Sequence, residues 1–115
     1  MATSYIVLGQ AVPASTTAAG ASSNFTNLYT GSTTAAIVST ITVCNQSSTA
    51  QTYRIAVRVA GAADTPKQYL AYDVSLPANA TDTLTLGITI ANTDVISIAA
   101  SSTSVSFNAF GSQIS

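Results

Sequence analysis

The chain has 115 residues, enough for one domain core and too few for two. Three Lys or Arg and four Asp make 6 % charged residues, against about 25 % in an ordinary domain, and His, Trp and Glu are absent. This leaves no imidazole base or metal ligand, no internal disulfide from one Cys, and too few cations to neutralise a run of phosphates.

Ser, Thr and Ala number 16, 18 and 20, yet 47 % of the chain is apolar, so a packed core rather than a disordered Ser/Thr tract is expected. The opening MATSYIVLGQ has neither the basic segment nor the long apolar stretch of a secretory leader, and no apolar run approaches the roughly 18 residues of a membrane helix. The expectation is a chain made and kept in the cytosol of its producer, with no membrane and no nucleic-acid partner.

In chain order, Tyr5 to Leu8 is a first short strand, followed by a low-complexity stretch from Ala11 to Asn24. That stretch buries little and reads as a loose N-terminal arm or loop, either an ordinary loop or a segment that orders against a partner. Phe25, Leu28 and Tyr29 re-enter the core before GSTT at 31–34 turns the chain. Ile37 to Cys44 is apolar or β-branched at nearly every position, as in a strand covered on both sides, with Ile37, Ile41 and Val43 sharing one face. Asn45 to Ala50 reads as a hairpin loop. Tyr53 to Val59 then alternates strictly, with Tyr53, Ile55, Val57 and Val59 inward and Arg54, Ala56 and Arg58 outward.

Gly61 to Lys67 forms the next turn, and Gln68 to Leu76 sets Leu70, Tyr72, Val74 and Leu76 on one face. Leu76 to Asp82 reverses the chain at Pro77 and Asn79. Thr83 to Ile90 places Leu84, Leu86, Ile88 and Ile90 opposite Thr83, Thr85 and Thr89. Strands over Asp94 to Ala99 and Ser104 to Phe110 complete the set, the last with Val105 and Phe107 facing one way. No apolar stripe of helical period occurs. Seven to eight strands with short polar turns predict one all-β domain over residues 1–115, an antiparallel β-sandwich of Ig-like or jelly-roll-like type.

The chemistry-bearing residues point away from catalysis. Asp64, Asp82 and Asp94 sit at turns or strand starts, where Asp caps backbone amides, and no calcium-loop spacing is present. Cys44 ends an apolar strand with no His to activate it, and no serine stands in a nucleophile-elbow motif. No enzyme activity, cofactor or metal is expected. The sequons at Asn24, Asn45 and Asn79 read as chance matches in a Ser/Thr-rich chain without a leader.

Arg54 and Arg58 lie about 13 Å apart on one strand face. With Lys67 they make either a solvated positive stripe or one partner of a cross-strand or intersubunit pair with Asp73. The remaining outward positions are Thr, Ser and Ala, unlike the interspersed charge that keeps a free monomer from self-pairing. Such faces suit burial against copies of the chain or a larger assembly, and the interface is expected at Tyr5, Val7, Arg54, Arg58, Lys67 and Asp73.

The stretch from Ser39 onward, with VCN at the first turn, RIAVR, KQYLAYD and the closing SFNAFGSQIS, resembles a family of small virion proteins of tailed phages met in cyanophage and marine-phage genomes. The opening YIVLGQAVPAS is similar as well, so the resemblance covers nearly the whole chain. It implies a β-sandwich structural component without a catalytic motif, most readily a capsid cement or decoration protein. Such a protein would bind the major capsid protein on the head exterior as an oligomer, expected to be a homotrimer. A tail, baseplate or fibre module is the alternative, and a glycan-binding adhesion module on exposed tyrosines a further one.

Overall fold

The computed structural model describes residues 3–14, 16, 25–63 and 65–114. Asp64 and most of the low-complexity stretch, Ser15 and 17–24 with Asn24, lie outside the described residues. Eight strands follow in order: β1 (Thr3–Ala11), β2 (Thr26–Thr30), β3 (Ala35–Asn45), β4 (Gln51–Arg58), β5 (Tyr69–Leu76), β6 (Thr81–Ala91), β7 (Val95–Ala100) and β8 (Val105–Ile114). Two single 3₁₀ turns, Val59–Gly61 and Pro66–Gln68, fill the connection from β4 to β5.

The strands form two four-stranded antiparallel sheets, sheet A in the order β1-β8-β3-β6 and sheet B in the order β2-β7-β4-β5. First strand pairs with eighth, second with seventh, third with sixth and fourth with fifth. The chain is therefore a long hairpin ribbon, closed at the β4–β5 turn and rolled so that alternate pairs fall in opposite sheets. That winding is the jelly roll, which resolves the two sandwich types expected from the sequence.

One consequence corrects the sequence reading of Asn45 to Ala50. This segment is no hairpin, because β3 belongs to sheet A and β4 to sheet B. A short polar turn spans the roughly 10 Å between sheets as readily as the gap between neighbouring strands, so turn residues alone do not tell the two apart. Asn45 fixes this crossing. It is 1 % exposed, and its amide nitrogen donates to the carbonyls of Thr49 (2.9 Å), Leu76 (3.2 Å) and Pro77 (3.1 Å). Its Oδ1 accepts from the Ser47 amide at 2.9 Å and the Ser47 hydroxyl at 2.7 Å. One side chain thus ties the β3–β4 crossing to the β5–β6 crossing.

The core lies between the sheets. Val38, Ile41 and Val43 of β3 and Val105 and Phe107 of β8 meet Ile55 of β4 and Ile96 and Ile98 of β7, all fully buried. Tyr53 meets Phe107 edge-on with ring centroids 6.1 Å apart. Each such aliphatic or aromatic side chain contributes about 1.5–3 kcal/mol by leaving water.

Bulges interrupt strict alternation, and in β3 and β5 they move residues between faces. In β3 the register shifts between Val38 and Thr40, so Ile41 and Val43 face the core while Ile37 is 41 % exposed. In β6 the extra residue falls at Leu86 and Gly87, where Gly87 takes φ 65°; Leu86 is exposed there, while Leu84, Ile88 and Ile90 keep the inward face expected of them. In β5 the bulge is at Asp73, φ 50°, so Ala71, Val74 and Leu76 face the core and Leu70 and Tyr72 face out. Val59, expected inward, lies past the end of β4 in the first 3₁₀ turn and is exposed.

Candidate functional site

The outer face of sheet A divides across its bulges. Toward one end the cross-strand row is polar: Gln10, Asn108, Thr42 and Thr83. Beyond the bulges, one row holds Val7, Phe110, Thr40 and Thr85, and the next holds Tyr5, Ser112, Ile37 and Thr89. Tyr5, Ile6, Val7, Ile37, Phe110 and Ser39 line a shallow open groove there. Tyr5 is 84 % exposed, and the four apolar residues with it are also exposed. Leaving out Ile6, whose row with Gly111 and Val38 faces the core side, scaling the side-chain areas of Tyr5, Val7, Ile37 and Phe110 by their exposures gives on the order of 400 Å² of apolar surface, within the range for the largest patch on a monomer.

Two backbone features build this patch. The Ser39 hydroxyl, on the β3 bulge, donates to the Phe110 carbonyl at 3.2 Å and holds that rim. A Cβ on Gly111 would stand 1.9 Å from the Ile37 carbonyl oxygen, so only glycine lets β8 pass β3 at this point. The four strands of sheet A carry one charged residue, Asp82, and it pairs with Val43 on the inner side. Its carboxylate accepts the Tyr53 hydroxyl proton at 2.8 Å. Burial, then that bond, raise the Tyr53 phenol well above its ordinary range.

Sheet B is built differently on its outside. Arg54, for which the sequence left open a solvated stripe or a cross-strand pair with Asp73, is 2 % exposed and takes the cross-strand pair. The Asp73 bulge places both Tyr72 and Asp73 opposite it, as a bulge sets two residues against one. Arg54 Nε donates to Asp73 Oδ1 at 2.6 Å and its terminal nitrogen to Oδ2 at 3.0 Å, while the guanidinium carbon lies 4.2 Å from the Tyr72 ring centre. The Asp73 bond, opposed by burial, raises the Arg54 pKa further. Phe25, just before β2, packs on Tyr69 of β5 at 5.8 Å although those strands are opposite edges of the sheet. Phe25 therefore lies over the outer face, where Ser97, bonded to Arg58 and Asn27, and Ala99, paired with Arg54, are fully buried.

Arg58 is held inside the same layer. It donates to Ser97 Oγ (3.0 Å), Asn27 Oδ1 (3.0 Å) and the carbonyls of Gly61 and Ala62. The sequence-expected interface residues thus separate into groups. Tyr5 and Val7 share the open face of sheet A, Arg54 and Asp73 form an ion pair within sheet B, and Lys67 is exposed on the second 3₁₀ turn. Ile37 and Phe110 join Tyr5 and Val7 on that face without having been expected there. Gly111 beside Phe110 was the available signal, since glycine within a strand marks a close approach or bulge.

The remaining polar groups serve the fold. Asp94 accepts from the amides of Ala60 (2.9 Å) and Ala91 (3.0 Å). Cys44 is half-buried and reduced. Among the described residues no three His, Cys, Asp or Glu side chains cluster as metal ligands, and no helix is long and apolar enough to cross a membrane. Comparison of the chain with protein-family models, curated proteins and solved structures gives no match.

Proposed function

We propose that this chain is a non-catalytic structural protein that coats a larger particle, attaching through the open face of sheet A. The observation that carries this reading is the coincidence, on one face, of about 400 Å² of exposed apolar surface with a complete lack of outward charge. A freely diffusing monomer gains nothing from such a face, whereas a lattice-bound protein hides it. The resemblance to small virion proteins supplies the particle: the head of a tailed phage, with the major capsid protein as partner and the head exterior as location. In that role it is a cement or decoration protein, present as an oligomer. It binds the assembled lattice and not the free subunits, so it stabilises the lattice by mass action.

The test is reconstitution on purified heads. Heads stripped of the protein lose resistance to heat and osmotic shock, wild-type protein restores it, and Val7→Ser/Phe110→Ser protein does not. Equal resistance of stripped and decorated heads refutes the cement role. Imaging the bound protein separates head from tail: hundreds of copies mark the head, and six or a dozen mark a baseplate or fibre. Binding on a glycan array, lost on substitution of exposed Tyr72, would favour an adhesion module instead.

A further inference from the structure

A sandwich has four sheet edges, and three of these carry features that block pairing with another chain. The β2 edge is five residues long with a register shift between Asn27 and Tyr29. The β5 edge is bulged at Asp73 and followed by Pro77. The β6 edge is bulged at Gly87 and includes Asp82. The β1 edge differs. From Thr3 to Val7 it is exposed at every residue, contains no Lys, Pro or carboxylate, and has no bulge until Leu8. It offers five consecutive residues of regular strand with one side unpaired among the described residues.

We infer that β1 pairs with β1 of a second copy, antiparallel across a two-fold axis, joining two sheets A into one eight-stranded sheet. This rests on the reading of sheet A as the attachment face and names the first partner of that face. A register centred on Tyr5 sets Tyr5 against the second copy's Tyr5, and Thr3 against the second copy's Val7, aromatic and β-branched pairs of the kind that stabilise antiparallel strands. An identical strand fits because the face has no outward charge, so self-pairing meets no like-charge repulsion. Pairing along the edge extends the sheet in its own plane and leaves the outer faces of both copies open. The joined sheet then presents two patches side by side, a doubled surface for the lattice.

Sedimentation of the purified chain without heads tests this, using wild type, Tyr5→Lys and a Tyr5→Cys/Cys44→Ser pair. Tyr5 is 84 % exposed, so these variants keep the fold, which circular dichroism checks. Wild type is expected to be a dimer at about 100 μM, and Tyr5→Lys to weaken dimerisation by about tenfold or more. Tyr5→Cys/Cys44→Ser is expected to form an interchain disulfide under mild oxidation, since facing Cβ atoms on paired strands approach bridging distance. Leu70→Cys/Cys44→Ser, exposed on the β5 edge, does not. A monomeric wild type, an oligomer indifferent to Tyr5→Lys (a trimer included), or cross-linking no faster at position 5 than at 70 overturns the inference. Head binding is scored separately. A monomer that binds heads refutes the β1 pair alone, and a dimer that ignores heads refutes the attachment reading alone.

Discussion

Asp73→Asn isolates the charge in the Arg54–Asp73 pair. Asn tolerates the left-handed φ of 50° at the bulge as well as Asp does, so the backbone is kept while the carboxylate charge goes. The guanidinium left behind is 2 % exposed, and its partner side chain was 18 % exposed. Two unit charges about 4 Å apart at an effective dielectric constant near 20 attract by about 4 kcal/mol. The amide oxygen keeps one hydrogen bond, and the Tyr72 ring, 4.2 Å away, still faces the cation. The net loss is then about 2–3 kcal/mol, at or just below the range for breaking a fully buried pair because Asp73 is partly wet. Urea denaturation reads this as a midpoint lowered by about 1 M with an unchanged slope. The double variant Arg54→Met/Asp73→Asn should be more stable than Asp73→Asn, since no buried cation is left unpaired. A cost below about 0.5 kcal/mol for Asp73→Asn, or strict additivity in the cycle, refutes the reasoning.

Asn45→Ala removes the bonds that tie two crossings together and is expected to cost about 2–4 kcal/mol in thermal unfolding, with Asn45→Asp no better because a carboxylate cannot donate to the Leu76 and Pro77 carbonyls. A loss below about 1 kcal/mol in Asn45→Ala would show that the crossings hold without it. Tyr53 gives a pH dependence of known sign. The phenol ionises at 10.0 in the unfolded chain and higher in the fold, so its contribution is complete below pH 10 and declines as pH rises above it. The expected slope is about 1.4 kcal/mol per pH unit, and Tyr53→Phe removes that increment in urea midpoints compared between about pH 8 and pH 11. An identical alkaline decline in Tyr53→Phe would show that Tyr53 is not its source.

The sequence made the two-layer β architecture legible because apolar alternation over Tyr53 to Val57 and Val105 to Phe107 reports burial directly. Face assignments failed across the bulges of β3 and β5. Counting by two put Ile37 with Ile41 and Tyr72 with Val74, and one inserted residue reversed each, whereas in β6 Leu84, Ile88 and Ile90 keep the counted face and Leu86, at the bulge, is exposed. Gly87 hinted at its bulge, but Asp73 gave no sign, since a carboxylate in a strand reads as an ordinary outward residue. Sheet membership was illegible for a different reason: the Asn45 turn has the composition of a hairpin, and what fixes it is a contact with Leu76 and Pro77, thirty residues away in sequence. The open face was half legible. Tyr5 and Val7 are expected at an interface from the sequence, whereas Ile37 is grouped there with Ile41 and Val43, and Phe110 only closes the last strand without a face.

The scarcity of charge takes on a physical meaning once each charged group is located. Arg54 and Asp73 neutralise one another under the outer layer of sheet B, Arg58 satisfies Ser97, Asn27 and two carbonyls, Asp82 holds the Tyr53 hydroxyl, and Asp94 holds two amides. Among the described charged side chains, Lys67 alone makes no such bond and stands exposed. The charges therefore organise the fold, above all sheet B, and do not disperse the molecule in water. Sheet B covers its outer face with Phe25, Tyr69, buried Arg54 and half-buried Arg58, while sheet A leaves its own open, apolar and uncharged. That asymmetry requires a cause, because a charged residue at Tyr5, Ile37 or Phe110 would cost the core nothing at such exposures. The proposed attachment would account for it: a cation or carboxylate there would have to be desolvated when the face is buried, at several kcal/mol unless paired. An uncharged outer face would let the proposed partner close sheet A, as the chain's own side chains close sheet B.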